Sequence, residues 1–247
     1  MRIDIATLFP EMLENYLSES IIGRSRAKNI FTACCHNIRD YTEDKHRRVD
    51  DTPYSERQGM LMQAQPIYKC WQAVCNMTKS QPYVIYMSPQ GKTLTQQKCR
   101  ELSMLDNIFI LCGHYEGVDN RIIEKIVDEE ISIGDYVLTG GELPALVLVD
   151  SVVRMLEGTL SSQQGYTDES HFNGLLEYPQ YTRPEVWEGM SVPKVLLSGH
   201  HANIKKWRHE NSLITTKQKR PELLEKYPLT EQDIIILNNF SEADGDI

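Results

Sequence analysis

Three short apolar runs constrain this chain most: Ile3-Asp4-Ile5-Ala6-Thr7-Leu8-Phe9, Val84-Ile85-Tyr86-Met87 and Ile108-Phe109-Ile110-Leu111-Cys112. Each is too short for a buried helix and reads as a strand, the first stopped by Pro10. Ile30 to Ile38 is a further strand candidate, and Tyr136-Val137-Leu138 another. Between them, Glu11 to Ser18, Ile67 to Met77, Leu94 to Met104 and Asp119 to Val127 have helical character, while Ser88-Pro89-Gln90-Gly91 reads as a turn. Short apolar strands alternating with helices predict an α/β domain with a mostly parallel sheet. Ligands of such sheets sit outside the carboxyl ends of the strands, which singles out the loops after Met87 and after Cys112.

Farther along, Gly140-Gly141-Glu142-Leu143-Pro144 opens a helix in which Leu143 to Leu156 is interrupted only by Asp150, Ser151 and Arg154. A helix apolar on nearly every face is buried, in its own domain or in a subunit contact. Residues 43–60 are polar and predict a long loop, of the kind that often carries function. Residues 161–174 read as a linker, and 175–247 as a small domain of short helices, including Leu223-Leu224 and Ile234 to Leu237. The first domain then covers 1–160.

The net charge of -9 argues against a nucleic-acid partner until its distribution is read. Residues 101–150 hold eleven acids against Arg121 and Lys125, whereas 183–220 hold eight Lys or Arg against Glu185, Glu188 and Glu210. That asymmetry fits an acidic core joined to a basic, partner-contacting segment, or two solvated faces. No stretch approaches the ~18 apolar residues of a membrane span, and the opening Met1-Arg2-Ile3-Asp4 lacks a signal peptide's apolar core, so a cytoplasmic protein is expected. The six cysteines form no CxxC pair and read as reduced, mostly buried thiols rather than a zinc site.

Gly113-His114-Tyr115-Glu116-Gly117 directly follows a predicted strand, and Ile133 to Gly141 is a second glycine-spaced segment. Neither matches GxGxxG, so a Rossmann dinucleotide site is not supported. Together with Ser88-Pro89-Gln90-Gly91 they predict one pocket of backbone amides and carbonyls, suited to an adenine ring. Arg154 reads either as the i,i+4 partner of Asp150 or as a buried guanidinium serving a site. Asp168 and Glu169, in the linker, read as solvated acids. Lys205-Lys206-Trp207-Arg208-His209 combines cations with an aromatic ring, as phosphate contact and base stacking require, or forms a charged helix face with one packed ring.

As an ordered set, LFPEM (Leu8 to Met12), VDDTPY (Val49 to Tyr54), GMLM (Gly59 to Met62), SPQG (Ser88 to Gly91), Tyr115-Glu116-Gly117 with Asp119, DEEISIGDYVLTGGELPA (Asp128 to Ala145), YTRPEVWEGM (Tyr181 to Met190) and VPKVLLSGHHA (Val192 to Ala202) resemble the bacterial tRNA (guanine-N1)-methyltransferases of the knotted SPOUT superfamily, which modify guanosine 37 beside the anticodon. The resemblance spans nearly the whole chain. It implies a trefoil-knotted N-terminal α/β domain, a mostly helical tRNA-binding domain and a homodimer with a shared active site. It implies S-adenosylmethionine as methyl donor, held against Tyr86, Gly113, Tyr115, Ile133, Gly134, Asp135, Tyr136, Val137 and Leu138, and it implies magnesium. It assigns the catalytic roles to Arg154 and to a linker carboxylate. Counting back from Gly174 without a gap selects Glu169, whereas treating His171 as an insertion selects Asp168. Two departures stand out: Ser55-Glu56-Arg57-Gln58 replaces a glycine-rich stretch, and His114 replaces the usual arginine of the G-R-Y-E-G turn. The competing readings are a non-catalytic RNA-binding dimer and an adenosine-nucleotide enzyme acting on small molecules.

Overall fold

Strands buried on both faces need apolar side chains at every position rather than at alternate ones, and the computed structural model assembles the predicted strands in that way. It describes residues 1–54, 59–161, 166 and 169–243, except for the side chains of 241–243. The chain divides into two compact units, Met1–Ser162 and Gln163–Ile247.

The first unit is built on a five-stranded parallel sheet of β1 (Arg2–Thr7), β2 (Thr32–Asn37), β5 (Tyr83–Thr93), β6 (Asn107–Cys112) and β7 (Glu129–Ser132), in the order β2-β1-β6-β5-β7. Because successive side chains point to opposite faces, β1, β5 and β6 each feed two cores. Ile3, Ile5, Ile85, Ile108 and Ile110 meet helices α1 (Pro10–Leu17), α2 (Ser20–Ala27), α4 (Gln96–Ser103) and α6 (Glu142–Val153). Ala6, Val84, Phe109 and Leu111 meet α3 (Ala64–Thr78) and α5 (Asn120–Ile126). A short antiparallel ladder, β3 (Asp50–Asp51) with β4 (Leu61–Met62), interrupts the long loop.

Several expectations need correcting. Tyr136-Val137-Leu138 is not a strand: it lies in an exposed loop, and the edge strand is β7. Extension stops after Ser132, whose hydroxyl donates to the Gly134 carbonyl at 2.9 Å and accepts from the Gly134 N–H at 3.1 Å. The expected turn at 88–91 lies within β5, as an irregularity where the register against β7 slips between Met87 and Lys92. The apolar helix ends at Val153, so Arg154 caps it and is half-buried rather than buried, its N–H donating to the Asp150 carbonyl at 3.1 Å. Within the chain α6 is not covered all round: Leu143 and Val147 are 50% and 43% exposed, which leaves the subunit contact as the expected cover for that face.

The second unit contains a two-residue ladder, β8 (Val186–Trp187) with β9 (Met190–Ser191), then α7 (Lys194–Leu197), α8 (His201–Lys219) and α9 (Glu231–Ala243). The 19-residue α8 corrects the expectation of short helices only. Among the described residues of this unit, Leu175, Leu213 and Leu237 form a small core. Among the described residues no helix is long and apolar enough to cross a membrane.

Candidate active site

The irregular middle of β5 and the carboxyl end of β6 face the loop that follows β7, and a cavity of about 420 Å³ lies among the three. Its wall includes Tyr86, Gly113, Tyr115, Ile133, Gly134, Tyr136, Val137 and Leu138. Of the expected donor-binding set only Asp135 is not on that wall. The Ser88-Pro89-Gln90 segment lines it too, as do Glu116, Asn120, Ile123, Glu130 and Ile131. The last four were not anticipated, because they belong to α5 and β7, whose side chains carry no glycine or loop signal.

Two glycines are required by close approach. The Gly141 N–H donates to the Gly113 carbonyl at 2.8 Å and joins the two loops. A Cβ on Gly141 would stand 2.8 Å from the Cys112 Cα, and one on Gly113 would stand 2.8 Å from the Tyr86 hydroxyl. The first collision is with backbone, which cannot step aside. Gly141→Ala is therefore expected to cost about 1–3 kcal/mol of stability through overpacking, read as a lowered denaturation midpoint. An unchanged midpoint would show that the loops do not depend on this approach.

Tyr86 forms the floor. Burial, with the Glu130 carboxylate nearby, pushes its phenol up to about 12 against the opposing pull of a backbone hydrogen bond from Val118, so it stays a neutral hydroxyl at ordinary pH. At the mouth, His114 packs against Phe9 and Tyr115 with ring centroids 5.2 Å apart in each case. The Tyr115 hydroxyl accepts from Arg39 at 3.3 Å. His114 thus fills, with an aromatic row, the place where the resembling family carries arginine. Beneath the cavity, buried Glu142 accepts a hydrogen bond from Thr7 at 2.8 Å and anchors the first turn of α6.

This wall of backbone groups, one neutral phenol and apolar loop residues suits an adenosine moiety, whose base needs both donors and acceptors. Among the described residues no group of three or more His, Cys, Asp or Glu is arranged to hold a metal ion, and the cysteines are free thiols, as expected. Burial pushes Cys35 up to about 12.

The remaining candidates lie elsewhere in the chain. Arg154 stands at the end of α6. Glu169 is half-buried in a turn, its carbonyl accepting from the Phe172 N–H at 3.3 Å, rather than a fully solvated acid. Asp168 lies outside the described residues, as do Ser55, Glu56, Arg57 and Gln58. On α8, Trp207 packs against Tyr178 and Tyr181, and the Arg208 guanidinium lies 4.9 Å from the Tyr178 ring centroid.

A family model described as tRNA (Guanine-1)-methyltransferase TrmD matches residues 1–226. Among curated relatives, a tRNA (guanine-N(1)-)-methyltransferase of Ruminiclostridium cellulolyticum is 56% identical over 228 residues, 92% of this chain and 98% of that protein. One of Clostridium botulinum (strain 657 / Type Ba4) is 53% identical over 242 residues, 98% of this chain and 99% of its own. One of Lachnospira eligens is 49% identical over 233 residues, 94% of this chain and 99% of its own. A match of this extent, on a parallel α/β sheet with a glycine-built cavity at its carboxyl edge, shows that the chain belongs to the tRNA (guanine-1)-methyltransferase family.

Proposed function

We propose that this protein transfers a methyl group from S-adenosylmethionine to N1 of guanosine 37 in tRNA, with the donor held in the cavity at the carboxyl edge of the sheet. The observation that carries this reading is the family match, which runs through every loop of that cavity. When bound, S-adenosylmethionine supplies a methyl group on a positively charged sulfur, electrophilic toward a ring nitrogen with a free lone pair.

The residues must free that lone pair. Guanine N1 carries a proton at neutral pH, so a general base has to take it as the new N–C bond forms. The family resemblance gives this role to Asp168 or Glu169. Negative charge moving toward O6 is met by a cation, the role it gives to Arg154. Tyr86, fixed as a neutral hydroxyl, orients the donor without competing for its methyl group. Magnesium, also implied by the resemblance, is commonly held through one or two carboxylates and its own waters, fewer protein ligands than a three-residue cluster. The trefoil knot belongs to the same reading, as does a cytoplasmic location.

For RNA, the basic face around Lys205, Lys206 and Arg208, with Trp207 and its two tyrosines, offers phosphate contact and stacking. The role of 175–247 in tRNA binding, and of 1–160 in donor binding, rests on this division of chemistry. Incubating the protein with donor and tRNA, then digesting the RNA to nucleosides, tests the whole reading. 1-Methylguanosine is expected, and no methylated guanosine contradicts it.

We further propose a homodimer. Met12, Tyr16, Leu143 and Val147, on α1 and α6, all expose large apolar surface, and these two helices pack against each other. A partner covering them would remove that surface from water, at roughly 25 cal/mol per Å². Val147→Glu is expected to convert a dimer into a monomer in sedimentation at micromolar concentration. A wild-type monomer under those conditions refutes the dimer.

A further inference from the structure

A second and larger cavity, of about 820 Å³, lies on the other side of the segment that walls the first. Helix α5 divides the two: Asn120 and Ile123 line the donor cavity, whereas Arg121, Ile122 and Lys125 line the second. The ring of Tyr68 is held by stacking on Trp71, with centroids 5.5 Å apart, and the Lys125 ammonium stands 5.3 Å from the Tyr68 centroid. Tyr54, fully exposed, is at the rim. Gln63 and Gln65 add side-chain amides, each with donors and an acceptor. The Arg121 guanidinium is oriented by Asp119 at 2.6 and 2.9 Å and remains largely exposed.

We propose that this second cavity binds a nucleotide, its base stacked on Tyr54 and bordered by the edge of Tyr68, and its phosphate between Arg121 and Lys125. An exposed ring such as Tyr54 at the rim of a cavity lined by cations is the arrangement on which unpaired bases stack, while Tyr68, stacked on Trp71 with the Lys125 ammonium over its ring, fixes that cation in place, and the amides meet the hydrogen-bonding edge of a base. The two carboxylates of the wall limit the charge of the ligand. Asp119 is occupied by Arg121 and by the Arg121 N–H at the start of α5, and Asp51 accepts the Thr52 N–H. Two acids beside two cations leave a neutral site, which suits one phosphodiester or monophosphate rather than a polyphosphate. The volume lies within the usual range for small-ligand sites, roughly 300–1,000 Å³.

The site is wired to the donor cavity through buried Met62 in β4. The Met62 N–H donates to the Gly117 carbonyl at 3.0 Å, the Asp119 N–H donates to the Met62 carbonyl at 2.9 Å, and the His114 N–H donates to the Met62 sulfur at 3.2 Å. A nucleotide bearing on β4 therefore bears on the loop that walls the donor cavity. Its source is a residue of the RNA strand other than the target or a free mononucleotide. The first of these rests on the methyltransferase reading and the second does not.

The test uses the full chain, guanosine monophosphate and an anticodon stem-loop RNA as probes, and the variants Tyr54→Ala, Tyr68→Leu and Lys125→Gln. Tyr54 is fully exposed, so its truncation removes no buried side chain, and leucine keeps apolar bulk over Trp71. Unchanged melting and S-adenosylmethionine affinity within twofold certify the variants. Binding at least tenfold weaker for the RNA assigns the site to the RNA strand, and the same loss for guanosine monophosphate assigns it to a free nucleotide. Affinities within twofold of wild type for both probes in all three variants, or no binding of either probe by the wild type, overturn the proposal. A wild-type protein that binds the probes but transfers no methyl group counts against the methyltransferase reading alone.

Discussion

Arg154→Ala is expected to lower the rate of methyl transfer at least ~100-fold, about 2.7 kcal/mol of transition-state stabilisation, while S-adenosylmethionine still binds. The residue caps α6 and keeps its backbone hydrogen bond to Asp150 whatever its side chain, so truncation leaves the helix end intact. Asp150 also faces α1, where, after burial, it raises the Tyr16 phenol above its ordinary value. An arginine that served only the packing of α6 would, when removed, lower the melting temperature and leave the rate within about tenfold. Calorimetry with the donor beside single-turnover kinetics separates the two. A normal donor affinity with a collapsed rate assigns Arg154 to the reaction.

The second large effect concerns the base. Asp168→Asn and Glu169→Gln are expected to differ, one losing at least ~100-fold in single-turnover rate and the other little, with donor affinity kept in both. Asparagine and glutamine preserve size while removing the lone pair that takes the N1 proton. Glu169 is half-buried in a turn, beside Tyr166 and Phe172, whose ring centroids are 5.4 Å apart. If Glu169→Gln stays fast while Asp168→Asn collapses, the shorter side chain is the base and His171 is the inserted residue. Two fast variants would remove the linker carboxylate from the mechanism altogether.

The sheet was legible where burial on both faces wrote itself into the sequence. β1, β5 and β6 carry apolar residues at nearly every position because each feeds two cores. β7 was not legible, since Glu129 and Glu130 open it. At the sheet edge Glu129 accepts from the Tyr83 hydroxyl at 3.1 Å and pairs with Lys98 at 3.2 Å, so specific partners rather than apolar pattern fix that strand. The same holds for α8, whose long polar surface hides a core contribution of little more than Leu213. In the candidate site the glycine spacing marked both loops, because only glycine tolerates the approach of Gly141 to Cys112. Their meeting at one cavity is a property of the strand order, which no local pattern encodes. Of the second cavity only the polar loop at 43–60 was marked in the sequence; its helical wall was not, because Tyr68 and Lys125 lie on different helices and come together only through packing.

The most direct measurement compares two tRNA transcripts that differ only at position 37, guanosine in one and adenosine in the other, each incubated with the full chain and S-adenosylmethionine and then digested for nucleoside analysis. The account predicts one methyl group per molecule, on N1 of the guanosine, with none on the adenosine transcript. Methyl transfer to both transcripts, or to neither while the donor binds normally, would contradict it.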